Sequence, residues 1–195
     1  MRIKLPRIIS RENFSVVTVS ELIFQIRAEE EDYPDASPQR LALQGYIAAA
    51  SSWVEKYTGH LMVGANVELS FDSFPAGSLE LPVYPVREVV SVNYLIGGAS
   101  QSIALSEINA DLLALRPRLV SRNGWPAVDD SFNAITVTVK AGYAAAESVP
   151  ETLKAAVLMM ASHLFENSSA TTPVKLEEVP LGVRALADSE KVSWI

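Results

Sequence analysis

The sequence predicts an α+β fold: a small helical bundle, made of two N-terminal helices and one later helix, with an inserted antiparallel β-module and an extended C-terminal tail. Three observations predict it. Apolar residues recur at intervals of three and four over 18–30, 38–58 and 149–167. Between 62 and 143 the period falls to two, the signature of half-buried strands. Residues 168–195 then pass from a polar linker to an apolar end at Val192, Trp194 and Ile195. Helices on either side of an insertion of strands imply one bundle with a β-module attached.

The elements follow in order. Residues 1–17 read as an extended arm in which Arg2, Lys4, Arg7 and Arg11 are interleaved with Ile3, Leu5, Ile8 and Ile9, and Pro6 blocks an early helix. Such an arm is either a chain end or a partner-binding segment. Thr18 and Glu21 form a capping box, and Val19, Leu22, Ile23 and Ile26 fall on one helical face. The acidic run Glu29-Glu30-Glu31-Asp32 opposes the macrodipole and should stop that helix in a solvated loop. The second helix begins at Ser37-Pro38 and ends at Gly59, with Leu43, Tyr46, Ile47, Ala50, Trp53, Val54 and Tyr57 as its core stripe.

In the β-module, Val67, Leu69 and Phe71 alternate with polar residues; Leu79 and Leu81, then Val90, Val92 and Tyr94, continue the pattern. Gly97-Gly98 is a turn signal, with Gln101–Leu105 as the returning hairpin arm. Arg118–Ser121 is a weak short strand, and Ile135, Val137 and Val139 mark the last. Pro82, Pro85, Pro117 and Pro126 fall at strand ends. Ser148 and Glu151 suggest a second capping box around Pro150, ahead of the face Leu153, Val157, Met160, Ala161 and Leu164. A short last helix fits Val179–Leu186.

Composition narrows the chemistry. The 195 residues contain no cysteine, which removes disulfides, thiolate metal sites and a cysteine nucleophile. Apolar residues make up 49% and charged ones only 20%, so part of the apolar surface is expected to lie against neighbouring subunits. No apolar run reaches the roughly 18 residues that span a bilayer, and no membrane partner is expected. The two histidines, His60 and His163, lack a second ligand at zinc spacing. Phosphate-binding glycine loops and a serine nucleophile elbow are absent from the sequence. Neither catalytic, cofactor-binding nor metal residues are therefore assigned. A net charge of -7 disfavours a DNA clamp. Arg116, Arg118 and Arg122 beside Trp125 could stack on bases, but such a loop more often tucks its Trp under a turn.

Several segments taken in order resemble the head–tail connector (adaptor) family of long-tailed phages and related gene-transfer particles. The resemblance spans about residues 17–195 and starts with Val17-Thr18-Val19-Ser20-Glu21-Leu22. It continues through Ala50-Ser51-Ser52-Trp53-Val54-Glu55-Lys56-Tyr57-Thr58-Gly59-His60, Glu68–Pro75 and Leu79–Val86. Trp125-Pro126, Ile135–Tyr143 and Val149–Lys154 complete it, while the first 16 residues depart from the pattern. The resemblance implies a structural virion protein at the head–tail interface, with 18–167 as the connector domain and 168–195 as a docking tail. It implies a homo-oligomeric ring, usually a dodecamer, beneath the portal protein, extending a channel that DNA traverses without specific binding. The next partner would be a head-completion, stopper or tail protein. By analogy the tail residues Leu181, Val183, Leu186, Val192, Trp194 and Ile195 are candidates for portal docking. The arm residues Arg2, Lys4, Arg7 and Arg11 are candidates for a further partner contact. A tail-completion or terminator protein of the same particle is the alternative, and a small enzyme or regulator with an unrecognised site is a third reading.

Overall fold

Thr18 accepts a hydrogen bond from the Glu21 amide while the Glu21 carboxylate accepts from the Thr18 amide, so the first helix begins where its capping box places it. The chain is described from a computed structural model over residues 5–168 and 179–192. Its described residues form four α-helices and two antiparallel sheets, an α+β fold. They divide into two compact units, a helical unit drawn from Phe14–Met62 and Ala145–Val192, and a β unit drawn from residues 5–13 and Val63–Ala144.

The helical unit holds α1 (Val19–Gln25), α2 (Pro38–Thr58), α3 (Glu151–Glu166) and α4 (Leu181–Ser189). α1 is shorter than the predicted 18–30. Arg27 takes a left-handed conformation, φ 57°, and Ala28 N–H reaches back to the Ile23 carbonyl, closing the helix without a glycine to announce it. Glu30–Asp32 then form one 3-10 turn. α2 starts under Ser37, whose hydroxyl accepts from the Arg40 amide, and stops at left-handed Gly59, φ 78°. Its buried line is Leu43, Ile47, Ala50, Val54 and Thr58. Tyr46, Trp53 and Tyr57, read from sequence as core, are only half-buried, with Trp53 stacked on Tyr57 at 4.8 Å. The second capping box does not form. Ser148 ends a 3-10 turn, and Pro150 is the N-cap of α3. Leu153, Ala156, Val157, Met160 and Ala161 of α3 are buried, and α3 packs against α1, α2 and α4.

The β unit contains β1 (Arg7–Arg11), β2 (Ala65–Phe71), β4 (Val86–Ile96), β5 (Ala99–Ile103) and β8 (Ile135–Ala141) in one sheet, ordered β1-β2-β8-β4-β5. A smaller sheet orders β3 (Leu79–Glu80), β7 (Arg118–Ser121) and β6 (Ile108–Asp111) as β3-β7-β6. The register explains the alternation: Val67 faces Val139, Leu69 faces Val137 and Phe71 faces Ile135, and all six are buried. Their neighbours Ser70 with Thr136, and Glu68 with Thr138, line the other, half-exposed face. Bulges in β4, at Val86/Glu88 and Val89/Ser91, interrupt the same alternation there. Two strands escaped the sequence reading. β1 is the predicted arm, extended as expected but paired with β2; β6 buries only Ile108 and so lacks a period.

Candidate assembly surfaces

The C-terminal segment lies closed against the helical unit. Over residues 179–192 it forms a short helix, as the reading of Val179–Leu186 expected, and packs inward where an extended tail was expected. α4 buries Val183 and Ala187, and at Gly182 an added Cβ would come within 2.8 Å of Met159 Cε, so the two helices meet at close range. Three bonds tie α4 and the residues after it to α2 and α3. Val192 N–H donates to the Thr58 carbonyl at 2.7 Å, the Tyr57 hydroxyl to Asp188 at 2.9 Å and the Thr152 hydroxyl to Glu190 at 2.8 Å. The Asp188 carboxylate raises the Tyr57 phenol above its ordinary range by stabilising the protonated donor. Lys191 Nζ lies 4.6 Å above the Tyr57 ring. His60, buried beside this junction, is pushed below the ordinary imidazole range by desolvation, partly offset by a hydrogen bond to the Glu190 backbone.

These contacts sort the predicted docking residues. Val183, on the inner face of α4, and Val192, held by its bond to Thr58, are buried in the helical unit. Leu181 is 82% exposed and Leu186 is half-exposed. Trp194 and Ile195 lie outside the described residues, as do Arg2 and Lys4 of the arm. Arg7 and Arg11 sit at the two ends of β1, an edge strand exposed on all five residues, with Arg7 3.4 Å from Glu68. Glu12, next after β1, pairs with Arg87 at 2.6 Å above Gly64, where any side chain would collide with that pair.

Elsewhere exposed apolar groups are spread over both loops and regular elements. Leu113, 98% exposed, and Leu115 occupy the β6–β7 connection, and Phe24 stands at the end of α1. Trp125 is not offered to a ligand: its Nε1–H donates to the Gly77 carbonyl at 2.8 Å and its ring stacks on Phe74 at 4.4 Å. Arg118 is held by Asp111 and Arg122 by Asn109, so the arginines near Trp125 are engaged within the β unit. The acidic loop after α1 is organised by Arg40, which contacts Glu30 at 2.6 Å, Asp35 at 3.3 Å and the Tyr33 carbonyl at 2.9 Å. That hydrogen bond holds the Glu30 carboxyl below its usual range.

Two depressions are found among the described residues. A depression of about 290 Å³ is lined by Ser78, Asn109, Asp111 and Arg118, and another of about 610 Å³ by Phe24, Arg27 and Glu29. Neither lining contains a histidine or an activated nucleophile. Among the described residues, no group of three His, Asp or Glu could hold a metal ion, and no helix is long and apolar enough to cross a membrane. Charge, by contrast, is unevenly distributed. By sequence, residues 1–13, 63–144 and 193–195 together carry nine basic and nine acidic residues, while 14–62 and 145–192 carry seven basic and fourteen acidic. The whole net charge of -7 therefore belongs to the helical unit.

No protein-family model matches the chain, and no curated protein matches it. Solved structures do. The chain is similar to a component of the virion of a native gene transfer agent particle, at 18% identity and a TM-score of 0.78, covering 98% of this chain and 97% of that one. It is similar to a component of the neck of an empty gene transfer agent particle computed with C6 symmetry, at 19% identity and a TM-score of 0.79, with the same coverage. A third, from the neck of a native particle computed with C12 symmetry, gives 20% identity and a TM-score of 0.63 over 96% of this chain and 97% of that one. At these identities the likeness establishes a shared fold across nearly the entire chain.

Proposed function

We propose that this chain is a structural protein of the neck of a tailed-phage-like particle, a head–tail connector (adaptor) that forms a ring. The observation that carries this is the full-length likeness to gene transfer agent virion and neck components, which includes both units. In this reading the protein works by assembly. Copies join into a ring, with twelve the count favoured by the neighbour computed with C12 symmetry. The ring binds the portal on one side and a head-completion, stopper or tail protein on the other, at the virion's head–tail interface. DNA passes through the lumen, where a net-acidic helical unit repels phosphate and keeps the duplex from sticking.

Portal docking by the C-terminal segment fits best as contact through Leu181, Leu186, Trp194 and Ile195, because Val183 and Val192 are committed to the core. The test removes residues 193–195 together with Leu181→Asp, and leaves α4 and Val192 in place. Particles from such a variant should accumulate as DNA-filled, tailless heads lacking this protein, with the purified variant still folded by circular dichroism. Tails carrying the protein, free of heads, would instead identify a tail-completion or terminator protein.

A further inference from the structure

We infer that neighbouring copies join edge to edge through the five-stranded sheet, β1 of one copy pairing with β5 of the next; this rests on the ring reading above. The sheet ends on two open strands of equal length, five residues each, on opposite edges. A head-to-tail ring requires two different, mutually complementary surfaces on every copy, and opposite edges of one sheet supply them.

The open groups can be assigned. Ile96 and Ala99 flank a two-residue turn in which Gly97 and Gly98 both have positive φ, 59° and 76°. That geometry makes Ile96–Ala99 a hydrogen-bonded pair, and alternation makes Tyr94–Gln101 and Val92–Ile103 the next. Ser100 and Ser102 therefore turn their N–H and C=O groups away from β4, into the open edge. Leu95, the partner of Ser100, agrees: its own N–H donates to the Ala134 carbonyl, away from β5. On the other edge Glu12 N–H bonds the Gly64 carbonyl, and alternation from there, across the bulge, directs the main-chain groups of Ile8 outward.

Open edges are normally protected by charge, proline or brevity. β5, Ala-Ser-Gln-Ser-Ile, has no charged residue and no proline, and its register with β4 runs without a bulge. Nothing in its sequence discourages a further strand. β1 carries Arg7 and Arg11, so the like-charge repulsion that would oppose β1 pairing with a second β1 is absent when it meets β5. At the β4–β5 turn the Asp129 carboxylate accepts from both Gly97 and Gly98 amides, adding a negative charge at that end. Isologous β1–β1 pairing is thus disfavoured, and β1–β5 pairing joins a basic edge to a neutral one.

The experiment uses full-length protein recovered in particles. Because the chain contains no cysteine, Ile9→Cys and Ser100→Cys each introduce a unique thiol. Particles that carry both substitutions in one chain should, with a short bis-maleimide, give a ladder of cross-linked oligomers, whereas either single variant should not. Ser102→Pro removes an outward N–H and leaves the hairpin's own bonds intact. It should leave the thermal melt of the isolated protein within a few degrees and lower incorporation into particles at least tenfold, with Gln101→Ala as the neutral control. Particles that contain the protein at full occupancy yet give no ladder would overturn the edge pairing and leave the ring standing. Dimers from Ser100→Cys alone would overturn it in favour of β5–β5 pairing. Purified particles devoid of the wild-type protein would overturn the neck reading itself, and this inference with it.

Discussion

The helical unit and the β unit hold themselves together by different means. Helix ends drive the first: a capping box at Thr18, a hydroxyl cap at Ser37, left-handed closures at Arg27 and Gly59, and a C-terminal segment whose Val192 amide satisfies the Thr58 carbonyl. Ladder register drives the second, where β2 and β8 present an unbroken run of matched apolar pairs. The helical unit also carries the entire net charge, and the β unit leaves strand edges open. One unit is closed on itself and acidic, the other neutral and extendable.

Substitutions can break that contrast. The largest effect is expected from Phe71→Ala, which removes the bulkiest fully buried side chain of β2 and should cost about 3–5 kcal/mol by chemical denaturation. If the β unit depends on register packing, accelerated hydrogen exchange should concentrate in β2 and β8. Leu153→Ala, its counterpart in α3, should cost about 2–5 kcal/mol with the exchange concentrated in the helices instead. Equal acceleration in both units for either variant would show that the chain opens as one body. Ser37→Ala deletes a single helix cap and should cost about 1 kcal/mol.

A smaller effect comes from pH. His60 has a folded-state pKa below its ordinary value near 6.5, so the unfolded chain binds the proton first as pH falls. Its contribution to stability is complete above about pH 6.5 and declines as pH drops from there toward the folded value. Melting curves between pH 7.5 and 5.5 should show this loss in the wild type and a flatter slope in His60→Gln. The smallest change is expected for Asp111→Asn. It breaks an exposed pair with Arg118 and should alter stability by less than about 1 kcal/mol.

How far the sequence could be read follows the same division. Periodicity and caps placed α1, α2 and α3, and strict alternation placed β2 and β8, because in each case one face is buried along the whole element. The misses have local causes. Arg27 ends α1 through a backbone conformation that no residue type announces. Pro150 takes the cap position that Ser148 was expected to fill. β1 was legible as extended and basic, but its pairing with β2 depends on a partner 54 to 61 residues away, which no local pattern encodes. Among the candidate site residues, Val183 and Val192 were read as apolar docking candidates, and both are buried in the helical unit. A hydrophobic residue near a chain end looks the same in sequence whether it meets its own core or another protein.

The pairing of β2 with β8 has a consequence for how the chain folds. Ala65 and Ala141 stand opposite each other at one end of that ladder, so the first and last strands of the insertion bring its two ends together. Left unstructured, Val63–Ala144 would be a loop of roughly 80 residues between α2 and α3, and closing it would cost about 2.5 kcal/mol more than closing a link of roughly five. Once the ladder has formed, the helices are joined by something that behaves as a short hinge. The β2–β8 ladder and the α2–α3 packing thus share one closure cost, so forming either lowers the entropy still to be lost in forming the other.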